Sequence, residues 1–201
     1  MNIKIGVDFD NTLINYDNIF EKYIKKFNLG KPYKKNKKLY LKKKLIRKKS
    51  EAVWTSLQAV IYGKDISRAN PFDYACSVLN LLSNIKGFEI FIISHKTKKA
   101  VANNKVNLHI AAKNWIKQNN FFHGKDKKWL KNHIFFETSL LKKINRIKKI
   151  KCNVFVDDLP EVLDLLPNSI IKLLFNHSED SNKNKKYKVI NSWKEFTKNF
   201  F

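Results

Sequence analysis

Short apolar runs recur along this chain, and several stop at a polar or acidic residue. Ile3-Lys4-Ile5-Gly6-Val7 ends at Asp8 and Asp10. Phe88 to Ile93 ends at Ser94, His133 to Phe136 runs up to Glu137, Asn153 to Val156 ends at Asp157-Asp158, and Ile170 to Phe175 follows. Runs of this length, rich in β-branched and aromatic residues, predict buried strands. Between them the apolar spacing becomes helical. Ile19, Phe20, Tyr23, Ile24 and Phe27 share a face of Tyr16 to Leu29, which Gly30 and Pro32 stop. Ser50-Glu51 opens a helix with Trp54, Leu57, Val60 and Ile61, ended by Gly63. Pro71 to Lys86 and Asn107 to Gln118 read as further amphipathic helices, the second with His109 in a structural place. A helix-like stretch follows Glu137, another starts near Pro160, and a short one runs from Trp193 to Phe201. Strands alternating with helices predict an α/β protein with a Rossmann-like, doubly wound parallel sheet. Three stretches stand outside this pattern. Lys34 to Lys49 is lysine-dense, either a solvated helix or a mobile loop; Asn120 to Lys131 is an aromatic and basic connector; Glu179 to Lys186 reads as a polar loop.

The chemistry lies at the strand ends. Buried charge costs free energy unless it is paired or binds a metal, and ligands of open α/β sheets sit beyond the carboxyl ends of the strands. Asp8-Phe9-Asp10-Asn11-Thr12 reads as the pattern DxDxT, and in this the chain resembles the haloacid dehalogenase superfamily. The resemblance implies that Asp8 is a nucleophile forming an aspartyl-phosphate, and that Asp10 acts first as general acid and then as general base. Both roles suit carboxyl groups. Ser94 matches the family's second motif, a hydroxyl that hydrogen-bonds the transferring phosphoryl group. The third motif is a lysine, for which Lys143 fits and Lys142 is the alternative. Asp157-Asp158 resembles the fourth motif, which helps to hold Mg²⁺. Asp8, the main-chain carbonyl of Asp10 and Asp158 would be its ligands, and Asp157 would act through water or by orienting a neighbour. The same pair also suits the cap of a helix with Pro160 near its start. Glu161 and Asp164 read as solvated. Asn11 departs from the family pattern, where Gly is common. Ser94 is followed by a basic run, His95-Lys96-Thr97-Lys98, which is either a solvated loop or a source of phosphate contacts.

By the same resemblance, residues 1–14 and 71–201 form the hydrolase core, and residues 15–70 form a small helical cap of the C1 type that closes over the site and selects the substrate. The implied activity is Mg²⁺-dependent hydrolysis of a small phosphorylated metabolite, with a phosphosugar as the first class and a nucleotide, stacked on Trp54 or Tyr62, as the second.

Composition changes this picture only a little. The chain has 201 residues, 43% of them hydrophobic, enough for one core plus an insert. No run reaches the ~18 apolar residues of a membrane span. The sequence enters its first strand without an apolar leader, so a cytoplasmic location is expected. Cys76 and Cys152 read as buried thiols. The net charge of +24 ordinarily suggests nucleic acid. The excess is almost all lysine, with only Arg47, Arg68 and Arg146, beside abundant Asn, Ile and Phe. That is the composition of an AT-rich coding sequence, whereas arginine is the preferred reader of phosphates and bases. A nucleic-acid-binding protein or nucleic-acid end phosphatase, with the lysines of 31–49 as a phosphate track, is therefore the second reading, and a catalytically silent scaffold the third. The positive field would in any case attract an anionic substrate. Nothing in the pattern sets an oligomeric state.

Overall fold

The computed structural model describes residues 2–31, 37–47, 50–103, 105–177 and 186–198. Pro32, Lys34 to Asn36, Lys48-Lys49, most of the polar loop from Glu179 and the last residues of the expected C-terminal helix lie outside the described residues. In chain order the elements are β1 (Ile3–Val7), β2 (Ile14–Asn15), α1 (Asp17–Lys26), α2 (Lys37–Arg47), α3 (Glu51–Ile61), a 3-10 turn (Lys64–Arg68) and β3 (Asn70–Pro71). There follow α4 (Ala75–Asn84), β4 (Phe88–His95), α5 (Leu108–Gln118), α6 (Lys127–His133), β5 (Ile134–Glu137), α7 (Leu140–Ile150) and β6 (Val154–Asp157). The chain ends with α8 (Pro160–Asp164), β7 (Ile171–Phe175), β8 (Lys188–Ile190) and α9 (Trp193–Thr197). These elements form two compact units, the first of Met1–Ile14, Pro71–Thr97 and Asn119–Phe201, the second of Asn15–Asn70 and Lys98–Gln118.

In the first unit six parallel strands are ordered β5-β4-β1-β6-β7-β8, as the alternating pattern predicts. The chain builds outward from β1 through β4 and β5, then returns to the other side of β1 for β6, β7 and β8. That reversal of direction is where such sheets hold their ligands. Val7 lies level with Ile92 on one side and Val156 on the other, so the ends of β1, β4 and β6 come together. One face of the sheet is covered by a core that includes Phe91, Ile93, Ile144, Ile147, Phe155 and Leu163. Each such side chain contributes about 1.5–3 kcal/mol through burial. Gly6 is needed for close packing. A Cβ there would lie 2.5 Å from the Phe155 ring and 3.0 Å from the Cys152 sulfur. Cys152 and the half-buried Cys76 are free thiols, and burial pushes Cys152 up to about 12.

The second unit is helical. Ile19, Phe20, Tyr23 and Ile24 of α1 are buried, as are Trp54, Leu57 and Ile61 of α3. The described part of the lysine-dense stretch is the helix α2, which turns Leu41 and Leu45 inward and leaves Lys42, Lys43 and Arg47 exposed. Trp54 is 5% exposed, so it packs in this unit and offers no face for a base. The unit also buries one carboxylate. Asp65 accepts a hydrogen bond from the Tyr23 hydroxyl at 2.8 Å and has Arg68 and Lys22 at 3.4 and 3.6 Å. Burial and the bond to Asp65 push Tyr23 up to about 12.

Three sequence expectations need correction. Lys98–Gln118 falls in the second unit, although the sequence places all of 71–201 in the core. The physical reason is local packing: Ala100 and Leu108 cluster with Ala59, Tyr62 and Val106, and the Trp115 indole donates to the Ala69 carbonyl at 2.8 Å. The helix expected from Pro71 begins only at Ala75, because Pro71 belongs to β3 and Tyr74 has φ 65°. The connector after Asn120 contains α6, whose cap is the Asp126 carboxylate accepting from the Trp129 amide. Among the described residues no helix is long and apolar enough to cross a membrane.

Candidate active site

Asp8 follows β1, and its amide donates to the Val156 carbonyl at 2.9 Å. This bond ties the end of β1 to the end of β6, where Asp157 sits. The lysine arrives from α7. Ser139 caps that helix, its hydroxyl accepting from the Lys142 amide at 3.2 Å. Lys143, Ile144 and Ile147 form the buried face. Lys142 is exposed, with its ammonium on the Thr138 hydroxyl at 3.3 Å. The Lys143 ammonium lies between two carboxylates, 2.5 Å from Asp8 Oδ1 and 2.6 Å from Asp157 Oδ2, and 5.6 Å from the centre of the Phe155 ring. Of the two candidate lysines, it is thus Lys143 that meets the strand ends. Asp8, Lys143 and Asp157 are 5%, 2% and 0% exposed. At that burial an unpaired charge would cost several kcal/mol, so the three groups hold one another in place.

Burial, reinforced by Asp10, raises the Asp8 pKa against the opposing pull of Lys143 and the Ser94 hydroxyl. Burial and the charge of Asp8 push Asp157 up to about 7, again against Lys143. Burial works to neutralise Lys143, but its two carboxylates outweigh that and raise its pKa above the ordinary lysine value. One ammonium therefore serves two buried carboxylates. A third is at hand: Asp8, Asp157 and the half-buried Asp158 each offer an oxygen within 4.8 Å of the others. Three hard oxygen donors so close together fit a divalent cation such as Mg²⁺. Asp157 also accepts from the Leu159 amide at 3.1 Å, which fixes its carboxylate just ahead of α8. Ser94, 1% exposed, is placed by β4 near Asp8, whose pKa its hydroxyl lowers.

Asp10 belongs to a separate pair. The Lys96 ammonium lies 2.7 Å from Asp10 Oδ2 and 3.0 Å from Oδ1. Lys96 is 5% exposed, so the solvated-loop reading of this residue fails. His95 beside it is exposed. Thr12 is buried, and its carbonyl accepts from the Trp193 indole at 2.9 Å. Asn11 has φ 58°, a left-handed conformation that Asn tolerates better than most residues and Gly better still. This accounts for the family's preference for Gly and for Asn serving here. Glu161 and Asp164 are exposed, Asp164 being engaged by Lys186 and Tyr187. Lys96 is the site residue that sequence reasoning left undecided. The signal was its place two residues beyond Ser94, where strand alternation repeats the inward direction.

No family model and no curated protein matches the sequence. Solved structures do. A haloacid dehalogenase-like family hydrolase from Streptococcus pneumoniae matches with a TM-score of 0.54 and 14% identity, over 87% of this chain and 85% of that one. Haloacid dehalogenase-type hydrolases from Ehrlichia chaffeensis and Xanthomonas campestris match at TM-score 0.49. The first has 12% identity over 98% of this chain and 96% of its own. The second has 9% identity over 98% and 95%. Identities this low speak to architecture, and the chain has the fold of the haloacid dehalogenase-like hydrolases.

Proposed function

We propose that this protein is a Mg²⁺-dependent phosphomonoester hydrolase that works through an aspartyl-phosphate at Asp8. The observation that carries the reading is a buried carboxylate at the end of β1, held by Lys143, with Asp157 and Asp158 each offering an oxygen within 4.8 Å. An Asp8 oxygen attacks phosphorus and the bond from phosphorus to the ester oxygen breaks. The Asp10 carboxyl gives its proton to that oxygen, and the alcohol leaves. Water then attacks the phosphorus, the Asp10 carboxylate takes the water's proton, and the bond to Asp8 breaks to release inorganic phosphate. Lys143 and Ser94 steady the oxygens of the transferring group, over which the charge is spread.

Asp8, Asp158 and the main-chain carbonyl of Asp10 would hold Mg²⁺, with Asp157 fixed by Lys143 behind them. The bound cation would offset the repulsion between Asp8 and the phosphate. The second unit, inserted after the DxDxT segment and enlarged by Lys98–Gln118, would serve as the substrate-selecting cap. The substrate would be a small phosphorylated metabolite, phosphosugars being the first class to examine. Phosphate release from a panel of sugar phosphates and nucleotides tests the reading. Wild type with Mg²⁺ should release phosphate, and Asp8→Asn, which keeps the shape and removes the nucleophilic charge, should release none. Equal release by both proteins would refute it.

A further inference from the structure

The reaction as written gives no role to Lys96, yet a buried ammonium needs a reason. Its surroundings are specific. The Lys96 amide donates to the Glu137 carbonyl at 2.8 Å, which fixes the backbone between the ends of β4 and β5. Its ammonium lies 5.5 Å from the centre of the Phe9 ring. Phe9 is fully buried and packs edge-on against Phe136, with centroids 5.4 Å apart. The stem is thus confined from both strands, and the ammonium faces both oxygens of Asp10. Lys143 is occupied with Asp8 and Asp157. The two buried lysines therefore divide the acids between them, one on the nucleophile and one on the acid/base.

We propose that Lys96 is a positioning residue for proton delivery, holding Asp10 and stabilising the carboxylate that appears on it as the ester bond breaks. The proposal rests on the roles of Asp8 and Asp10 given above. When phosphorus leaves the ester oxygen, the Asp10 proton moves to that oxygen, the product is an alcohol, and one negative charge is left on Asp10 beside Lys96. An interaction that strengthens as charge develops lowers the barrier. It matters most where the leaving oxygen is strongly basic. A substrate such as p-nitrophenyl phosphate, whose leaving group departs as a stable anion, needs little help from an acid.

The test compares kcat and KM of wild type, Lys96→Met and Lys96→Arg on glycerol phosphate and on p-nitrophenyl phosphate, with thermal melting alongside. General acid catalysis is worth about 10²–10⁴-fold. Lys96→Met should lose roughly 10–100-fold in kcat on glycerol phosphate, a part of that range, and less than about 3-fold on p-nitrophenyl phosphate. Lys96→Arg should recover part of the glycerol phosphate loss. Equal losses on both substrates, with or without a lowered melting temperature, would overturn the role of Lys96 and leave the function standing. So would a rise in KM alone, which marks a direct hold on the phosphate. A wild type without Asp8-dependent phosphate release would overturn both.

Discussion

Each unit of this protein buries acid, but in opposite balance. In the second unit Asp65 is a single carboxylate with the Tyr23 hydroxyl, Arg68 and Lys22 around it. In the first, Asp8 and Asp157 share the one ammonium of Lys143, and Asp158 adds a third carboxylate nearby. Buried ions persist where their partners compensate the lost hydration. The Asp65 group is compensated from within the chain and is explained by folding alone. In the Asp8 group two buried carboxylates share one ammonium beside a third carboxylate, which is the arrangement expected of a site completed by a cation.

The strongest way to break this contrast is to remove the shared ammonium. Lys143→Met leaves two buried carboxylates facing each other. It should cost roughly 3–5 kcal/mol in urea unfolding near neutral pH and abolish phosphate release. A loss under about 1 kcal/mol would mean that the pairs count for little, as exposed ones do. Cation binding discriminates next. Mg²⁺ at a hundredfold over its Kd should stabilise the wild type by about 2.7 kcal/mol. Asp158→Asn should lose most of that gain. Asp65→Asn should keep it, even though a weakened buried hydrogen bond costs the fold about 1–3 kcal/mol. If Asp65→Asn removed the Mg²⁺ effect and Asp158→Asn did not, the two clusters would have been assigned the wrong way round.

The smallest effect is in the pH dependence of the chelated protein. Asp157 lies at about 7 in the folded state, above the ordinary 3.8. A carboxyl raised on folding contributes stability that is fully present below its unfolded pKa and lost as pH rises through the folded one. In chelator the protein should therefore melt lower at about pH 8 than at about pH 6, and Asp157→Asn should flatten that slope. A slope of the opposite sign would contradict a raised Asp157 carboxyl.

The sheet and the acidic strand ends were legible because both follow from short-range rules. A buried parallel strand must be a continuous apolar run, so β1, β4, β5, β6 and β7 stand out by pattern. The carboxylates at their ends stand out by contrast with it. Lys143 was harder to pick out among so many lysines, since its selection depends on which face of α7 is inward, and Ile144 and Ile147 mark that face only in retrospect. Lys96 was undecided because its partner, Asp10, lies on another strand. The recruitment of Lys98–Gln118 to the second unit could not be read, for it rests on distant packing: Val106 meets Gly63, where a Cβ would lie at 2.4 Å. β8 went unpredicted because three residues, Lys188–Ile190, are too few to show alternation.

The central claim is that phosphate passes through the Asp8 carboxylate, and the covalent adduct can be sought directly. Protein turning over the best substrate of the panel with Mg²⁺ is quenched with borohydride, which reduces an acyl phosphate on aspartate to homoserine, and is mapped by peptide mass spectrometry. The account predicts homoserine at position 8, absent without substrate. Sustained phosphate release with residue 8 unmodified, or with the adduct at another residue, would contradict it.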